Sequence, residues 1–474
     1  MVSFILPGNS ASGGYEVANS LRFDGSSAYL SRTHGTPTNA KKHTFSAWVK
    51  MNPEVSSHNF MFGVHNDANN QCNYYWRSAS DDRLSNENTV SGSSLGGFYT
   101  TRKFRDPSAW FHIVVAEDTT QSTDTNRVKV YVNGVQETAF DTMAYIAQNT
   151  DNIINSNGAT VYIGQRGGSY GYLDGYMAEM VFIDGEQLDQ TSFGEFDSDS
   201  NIWKPKDVSG LTFGNNGFYL DFENSGSLGA DVSGNGNNFT VNNLTSVDQS
   251  TDTCTNNYCT MNPLNVPTSN QPTFSEGSLK TVSSSSASGA FGGSTTFGVS
   301  QGKWYVEAKA TVGSTYSRNA IGVSYNPAEM ARSNADTQIS NTSYAWGWES
   351  SGGEVRHDAS AVASYATYAT GDICQIFLDL DNHKLYFGKN GTLQSSTGIS
   401  LDTGETYFIV QTDRTGSSEV STFEFNFGAG TTFSISSGNT DGEYGNFEYS
   451  TTITGDGASK TFKALNTKNL AEYG

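Results

Sequence analysis

A chain of 474 residues with 50 glycines, 12% aromatic and only 16% charged residues is long enough for on the order of two to four domains. Scarce helix formers and the lack of a sustained helical apolar stripe exclude a helical architecture, and aromatics with Val and Ile at strand spacing exclude disorder. The formal net charge of -21 excludes non-specific attachment to nucleic acid or anionic lipid and supplies carboxylates suited to a hard cation.

Residues 1–19 are rich in Gly, Ser and Asn around a short apolar patch, Phe4-Ile-Leu-Pro7, and are expected to form an arm. With neither a basic n-region nor a long apolar core, this start is not expected to be a secretory signal. No apolar run approaches the ~20 residues of a membrane helix, so no membrane insertion is expected. A strand pattern begins at Leu21 and continues through Thr44-Phe-Ser-Ala-Trp-Val-Lys50 and Trp110-Phe-His-Ile-Val-Val-Ala116. In Val128-Lys-Val-Tyr-Val-Asn-Gly-Val-Gln136 the Asn133-Gly134 pair is the strongest two-residue hairpin signal. Val161-Tyr-Ile-Gly164 and Gly175-Tyr-Met-Ala-Glu-Met-Val-Phe-Ile183 complete the set.

Residues 191–277 are dense in turns, with single strands such as Phe218-Tyr-Leu220 between them, and read as a connector with a few strands packed on its neighbours. A second β-region follows over 278–430. It carries Gly302-Lys-Trp-Tyr-Val-Glu307, Ile321-Gly-Val-Ser324 and a hairpin from Gly371 to Gly391. There a strand from Ile373 to Leu380 meets Asp381-Asn382, residues that tolerate left-handed angles; a second strand, Lys384 to Phe387, leads to a turn at Asn390-Gly391. Phe408-Ile-Val-Gln-Thr and Ser421-Thr-Phe-Glu-Phe-Asn-Phe427 are its last strands, and 431–474 reads as a docked terminal segment. Cysteines are sparse (72, 254, 259 and 374); Cys254 and Cys259 are close enough for a local bridge, but no disulfide framework or zinc spacing exists.

The strand order over 20–190, from Phe23-Asp-Gly through the Tyr131-Val-Asn-Gly hairpin to Leu173-Asp-Gly-Tyr-Met-Ala-Glu-Met180, resembles the laminin-G/concanavalin-like jelly roll. The Gly302, Ile321 and Gly371–Gly391 phrases resemble a SPRY domain. The expected fold is therefore all-β: two antiparallel β-sandwiches joined by a turn-rich connector.

Catalysis is not expected. No Gly-x-Ser-x-Gly elbow stands in a strand-turn-helix context, no strong Cys/His pairing is present, and the seven histidines fall singly. Glu349 and Glu424 lack the partner acid that a glycosidase strand carries. Recognition leaves another signature, aromatics beside hydrogen-bonding groups on loops. Tyr75, Trp76 and Arg77, the Arg166-Gly-Gly-Ser-Tyr-Gly-Tyr172 loop with Arg166, Tyr170 and Tyr172, and Trp348 with Arg356 are the candidate ligand-binding residues. For the tryptophans, core packing competes with contact, because alternation sends Tyr74 and Trp76 to one face and Trp346 and Trp348 to one face. Laminin-G-like domains often hold calcium at the sandwich rim, and on that resemblance Asp67 and Asp174 are the candidate ligands, with turn capping as the alternative.

Across nearly the whole chain, the opening Phe4-Ile-Leu-Pro-Gly-Asn-Ser-Ala-Ser-Gly-Gly-Tyr15 and the linker phrases Asn216-Gly-Phe-Tyr-Leu-Asp-Phe222 and Asp248-Gln-Ser-Thr-Asp-Thr253 resemble virion proteins of tailed bacteriophages of marine bacteria, the cyanophages and their relatives. The resemblance implies a non-enzymatic tail-fibre or appendage protein, made in the host cytoplasm and displayed on the virion surface, that recognises a host-surface glycan or protein. The alternative is a capsid decoration, head-fibre or tail-knob protein contacting other virion subunits. Either role implies virion partners and a homo-oligomer, although no heptad segment supports a coiled-coil trimer.

Overall fold

The computed structural model describes residues 14–53, 58–78, 80–168, 170–267, 271–283, 289–311, 319–330, 339, 342–415 and 420–474. Most of the expected N-terminal arm, including Phe4-Ile-Leu-Pro7, lies outside them. The chain forms two compact units, Met1–Asn257 and Tyr258–Gly474.

The first unit is a sandwich of two antiparallel sheets. Among the described residues, the first sheet runs Val135–Gln136, Val128–Val132, Phe111–Asp118, Lys42–Met51, Asp174–Asp184, Ser20–Asp24, Gln249–Ser250. The second runs Phe140–Ala144, Ser93–Lys103, Arg83–Val90, Asn70–Trp76, Asn59–Asp67, Thr160–Ile163, Tyr29–Thr33, Thr240–Asn242. Period-2 alternation fills the space between them: Phe45, Ala47 and Val49 from the first sheet meet Phe62, Val64, Cys72, Tyr74 and Trp76 from the second. Along Asp174–Asp184 the alternation is reset by a bulge between Ala178 and Val181, where Glu179 takes a left-handed φ of 49°. The extra residue lets both Met177 and Met180 enter the core.

The segment read as a connector divides differently. Up to Asn257 it belongs to the first unit. Phe218–Leu220 pairs with Asp174–Asp184, Thr240–Asn242 extends the second sheet and Gln249–Ser250 the first. Phe218, Leu220, Phe222 and Phe239 sit in its core, so apolar burial ties this turn-rich stretch down.

The second unit is also a two-sheet sandwich. One sheet centres on Lys303–Thr311, flanked by Thr422–Asn426 and Ile373–Asp379; the other centres on Ala320–Ser324, flanked by Phe408–Thr415 and Ala345–Glu349. In the hairpin, Ile373–Asp379 pairs with Lys384–Lys389 from Cys374↔Lys389 to Asp379↔Lys384. Asn390 and Gly391 adopt the expected left-handed angles (φ 47° and 80°). At the other turn the left-handed residue is His383 (φ 52°), not Asp381 or Asn382. Asn382 instead turns its amide onto the Asp379 carboxylate, donating at 3.0 and 2.9 Å. The terminal segment docks on the outer face of the Lys303–Thr311 sheet: Phe447, Phe462 and Ala464 join Tyr305, Phe377 and Tyr386 in a small second core. Helix Thr467–Tyr473 closes it, capped by the Asn466 side chain accepting from the Asn469 N–H.

All four cysteines are buried thiols, and Cys254 and Cys259 fall in different units.

Candidate ligand-binding site

The outer face of the second sheet in the first unit gathers most of the residues singled out above. Alternation that sends Cys72, Tyr74 and Trp76 inward turns Gln71, Asn73 and Tyr75 outward. Tyr75 lies opposite Phe60 on the neighbouring strand, and their rings stack at 4.6 Å and 8°. The Tyr75 hydroxyl donates to Glu87 Oε1 at 2.7 Å, and Tyr99 donates to the same oxygen at 3.3 Å. Burial first, then the Glu87 charge, holds the Tyr75 phenol well above the usual tyrosine range, so it stays a neutral donor. Arg77 lies over the Tyr99 ring, 4.4 Å from its centroid.

The loop after Thr160–Ile163 folds onto this face. Arg166 donates from Nε and Nη2 to Gln71 Oε1 at 3.1 and 2.7 Å, and its guanidinium lies 5.8 Å from the Phe60 ring and 5.5 Å from the Tyr170 ring. The approach requires glycine: Gly171 has a φ of +67°, and a Cβ there would sit 2.5 Å from the Phe60 ring. Tyr170 is left 52% exposed at the tip. Tyr172 and Tyr162 flank Tyr29 at 6.4 and 6.1 Å. His58, whose imidazole is held below its usual range mainly by burial and next by the Arg77 charge, packs 5.5 Å from Tyr75. Phe60 and Tyr75 are themselves buried, so the face offers the exposed Tyr170 ring, half-buried tyrosines, a fixed guanidinium and one carboxylate. That combination stacks on the apolar face of a ring-shaped ligand and bonds its hydroxyls.

Three predicted contact residues are buried: Tyr75, 2% exposed on the outer face, and two in the core. Trp76 and Trp348 are each fully buried, Trp76 against Phe104 and Trp348 against Tyr368 and Phe387. Alternation places them on the inner faces, where a large ring contributes most by burial. Arg356 lies on Glu354–His357, bonding Glu354 Oε2 at 2.6 Å and the Ala359 carbonyl. Beside it the second unit carries a cleft of about 680 Å³ lined by Trp346, His357, Tyr365, Gln394, Ser400 and Asp402. His357 stacks on Trp346 at 4.1 Å and donates Nδ1–H to the Ala345 carbonyl at 3.0 Å, which makes Nε2 the acceptor nitrogen.

Asp67 closes the tight turn after its strand, accepting from Asn69 N at 2.7 Å and from Asn70 Nδ2. Asp174 is buried at a strand start; its Oδ2 accepts from Asn52 Nδ2 at 2.8 Å and its backbone N–H donates to Asn59 Oδ1. Among the described residues, no three His, Cys, Asp or Glu side chains converge around either as a metal cage.

Phe60, Gln71, Glu87 and Tyr99 were not anticipated. The one signal for them was that, once Tyr74 and Trp76 face the core, every second residue of neighbouring strands faces out.

Residues 24–190 match the family model described as the concanavalin A-like lectin/glucanases superfamily, and residues 303–423 match the SPRY domain. The chain thus carries a concanavalin-like domain followed by a SPRY domain, in the order expected from its strands. No curated protein matches the chain. Among solved structures, the SPRY domain of human HERC1 is similar over 37% of this chain and 99% of its own, at 17% identity and a TM-score of 0.30. The native heptameric SAP-like pentraxin of Limulus polyphemus is similar over 37% of this chain and 80% of its own, at 19% identity and a TM-score of 0.28. A candidate carbohydrate binding protein from Bacteroides ovatus is similar over 48% of this chain and 59% of its own, at 15% identity and a TM-score of 0.31.

Proposed function

We propose that this chain is a non-enzymatic bacteriophage virion protein of the tail-fibre or appendage type, which recognises a host-surface glycan through the outer face of its concanavalin-like domain. The observation that carries the binding reading is the exposed Tyr170 beside Arg166, whose guanidinium is held in place over the buried Phe60–Tyr75 stack. A guanidinium fixed over an aromatic ring beside amide and carboxylate acceptors suits a neutral, hydroxylated ligand better than an anionic one in a chain of net charge -21. The virion assignment is supported by the linker phrases around Asn216 and Asp248, and with it come the virion surface as location, virion subunits as partners and a homo-oligomeric state.

The experiment is a glycan array and a host-cell binding assay with the purified chain, side by side with Arg166→Ala and Tyr170→Ala. Each variant is expected to lose about 1–2 kcal/mol of affinity, roughly ten-fold, without loss of fold. Binding that neither variant weakens moves the site elsewhere. Density on the capsid lattice away from the tail supports the decoration role instead, and release of reducing ends from host polysaccharide overturns the non-enzymatic reading.

A further inference from the structure

Lys50, Asp252 and Asn257 converge inside the first unit in an arrangement that salt-bridge stability alone does not require. Lys50 Nζ donates to Asp252 Oδ2 and to Asn257 Oδ1, each at 2.8 Å. All three residues are buried, at 1%, 1% and 3% exposure. Asp252 is held on its other oxygen by Trp110 Nε1 at 3.0 Å, and its chain by the Ser250 hydroxyl. Asn257 is oriented by its Nδ2, which donates to the Ser108 carbonyl at 2.6 Å and so turns its own carbonyl toward the lysine. The Tyr176 ring lies 5.7 Å from Nζ, and Trp48, Trp110 and Tyr176 belong to one apolar cluster. A buried ion pair of this kind gains little stability over apolar packing. What the geometry does supply is an amine held against an amide carbonyl, with a carboxyl able to carry protons between them, in a dry site.

We propose that Lys50 and Asn257 form an intramolecular isopeptide bond, with Asp252 as the proton carrier. A proton passes from the Lys50 ammonium to the Asp252 carboxylate along their hydrogen bond. The freed amine attacks Asn257 Cγ, forming the C–N bond as the carbonyl electron pair moves to Oδ1. Asp252 relays a proton from the attacking nitrogen to Nδ2. The carbonyl re-forms, the Cγ–Nδ2 bond breaks, and Nδ2 leaves as ammonia. One C–N bond is made and one broken, nothing is oxidised or reduced, and the departing ammonia takes up as ammonium the first proton still held by Asp252, which restores its carboxylate. The product links the strand Lys42–Met51 to the end of the first unit.

Intact-mass measurement of the full chain under denaturing conditions tests this. Relative to Lys50→Arg, corrected for the substitution, the wild type is expected to be lighter by about 17 Da, one ammonia, and a tryptic digest is expected to contain a branched peptide joining Lys50 to Asn257. A wild-type mass equal to that of the unlinked sequence after prolonged incubation at neutral pH overturns the proposal, whether or not the variants fold. A loss of about 18 Da with the branch at Asp252 overturns Asn257 as the acceptor. Asp252→Ala is expected to keep its full mass; if it loses ammonia like the wild type, the relay role fails.

Discussion

Glu117 sits between the sheets of the first unit, accepting from Tyr74 at 3.0 Å and from Asn152 Nδ2 at 2.6 Å, with His43 bonded to the same tyrosine at 2.8 Å. Burial pushes its carboxyl up to about 7 against the two hydrogen bonds, and burial pushes His43 down to about 3. Between pH about 4.5 and 7 the folded chain keeps a proton on Glu117 that the unfolded chain releases, so stability falls as pH rises through that window. His43 acts the other way: below about 6.5 only the unfolded chain takes its proton, so stability falls again toward acid. Glu179, also raised to about 7 by burial, adds to the first effect. Glu117→Gln is therefore expected to make the decline from pH 4.5 to 7 shallower by up to ~3 kcal/mol while leaving the acid-side loss in place. Denaturation midpoints across pH check this, and an unchanged profile would show that Glu117 does not titrate there. Sequence alone could not find this group, because Glu117 ends an apolar strand like many exposed acids and only non-local pairing buries it. The same limit applied at the binding face. Arg166, Tyr170, Tyr172, Tyr75 and Arg77 were legible as residue types near turns, whereas Gln71 and Glu87 became visible only through strand register.

At the scale of elements, turn chemistry was the most legible feature. Asn390-Gly391 and Asn133-Gly134 both adopt the left-handed angles their residue types favour. Gly391 is constrained further, since a Cβ there would lie 2.8 Å from the Tyr449 ring. Gly391→Ala is expected to cost about 1–3 kcal/mol, combining the left-handed penalty with displacement of Tyr449. Thermal melting of the variant measures it, and a change below about 0.5 kcal/mol would mean the turn relaxes freely. Strand faces were legible by the same logic of local rules: alternation decided which of Tyr75 and Trp76 faces out. The Glu179 bulge was not, because it answers to the packing of Met177 and Met180, a requirement set by the facing sheet.

At the scale of the whole chain, the two sandwiches and their order were legible, and the fate of the stretch between them was not. Its short strands carry too little pattern to reveal that Phe218, Leu220 and Phe239 complete a core begun some two hundred residues earlier. A fragment cut to 24–190 loses most of the strand Ser20–Asp24, which lies beside Asp174–Asp184 in the first sheet, together with Phe218–Leu220 and Gln249–Ser250. It is expected to aggregate or remain unfolded, whereas a fragment spanning 14–257 is expected to fold. Circular dichroism and gel filtration separate these outcomes, and a soluble, cooperative 24–190 fragment would show the later strands to be dispensable.

The antiparallel pair of Ser20–Asp24 with Gln249–Ser250 brings the chain into the first unit and out of it at one place, Ser20 opposite Ser250. Traction applied along the chain therefore reaches this sandwich through a short pair of strands loaded end-on. Their hydrogen bonds give way in succession, like the teeth of a zipper, and do not share the load. Ahead of the seam stand a cross-brace from Val17 through Thr255 and the buried bonds of Asp252 to Lys50 and Trp110. That same corner is where Lys50 meets Asp252 and Asn257, so a covalent link there would take the load before the seam does.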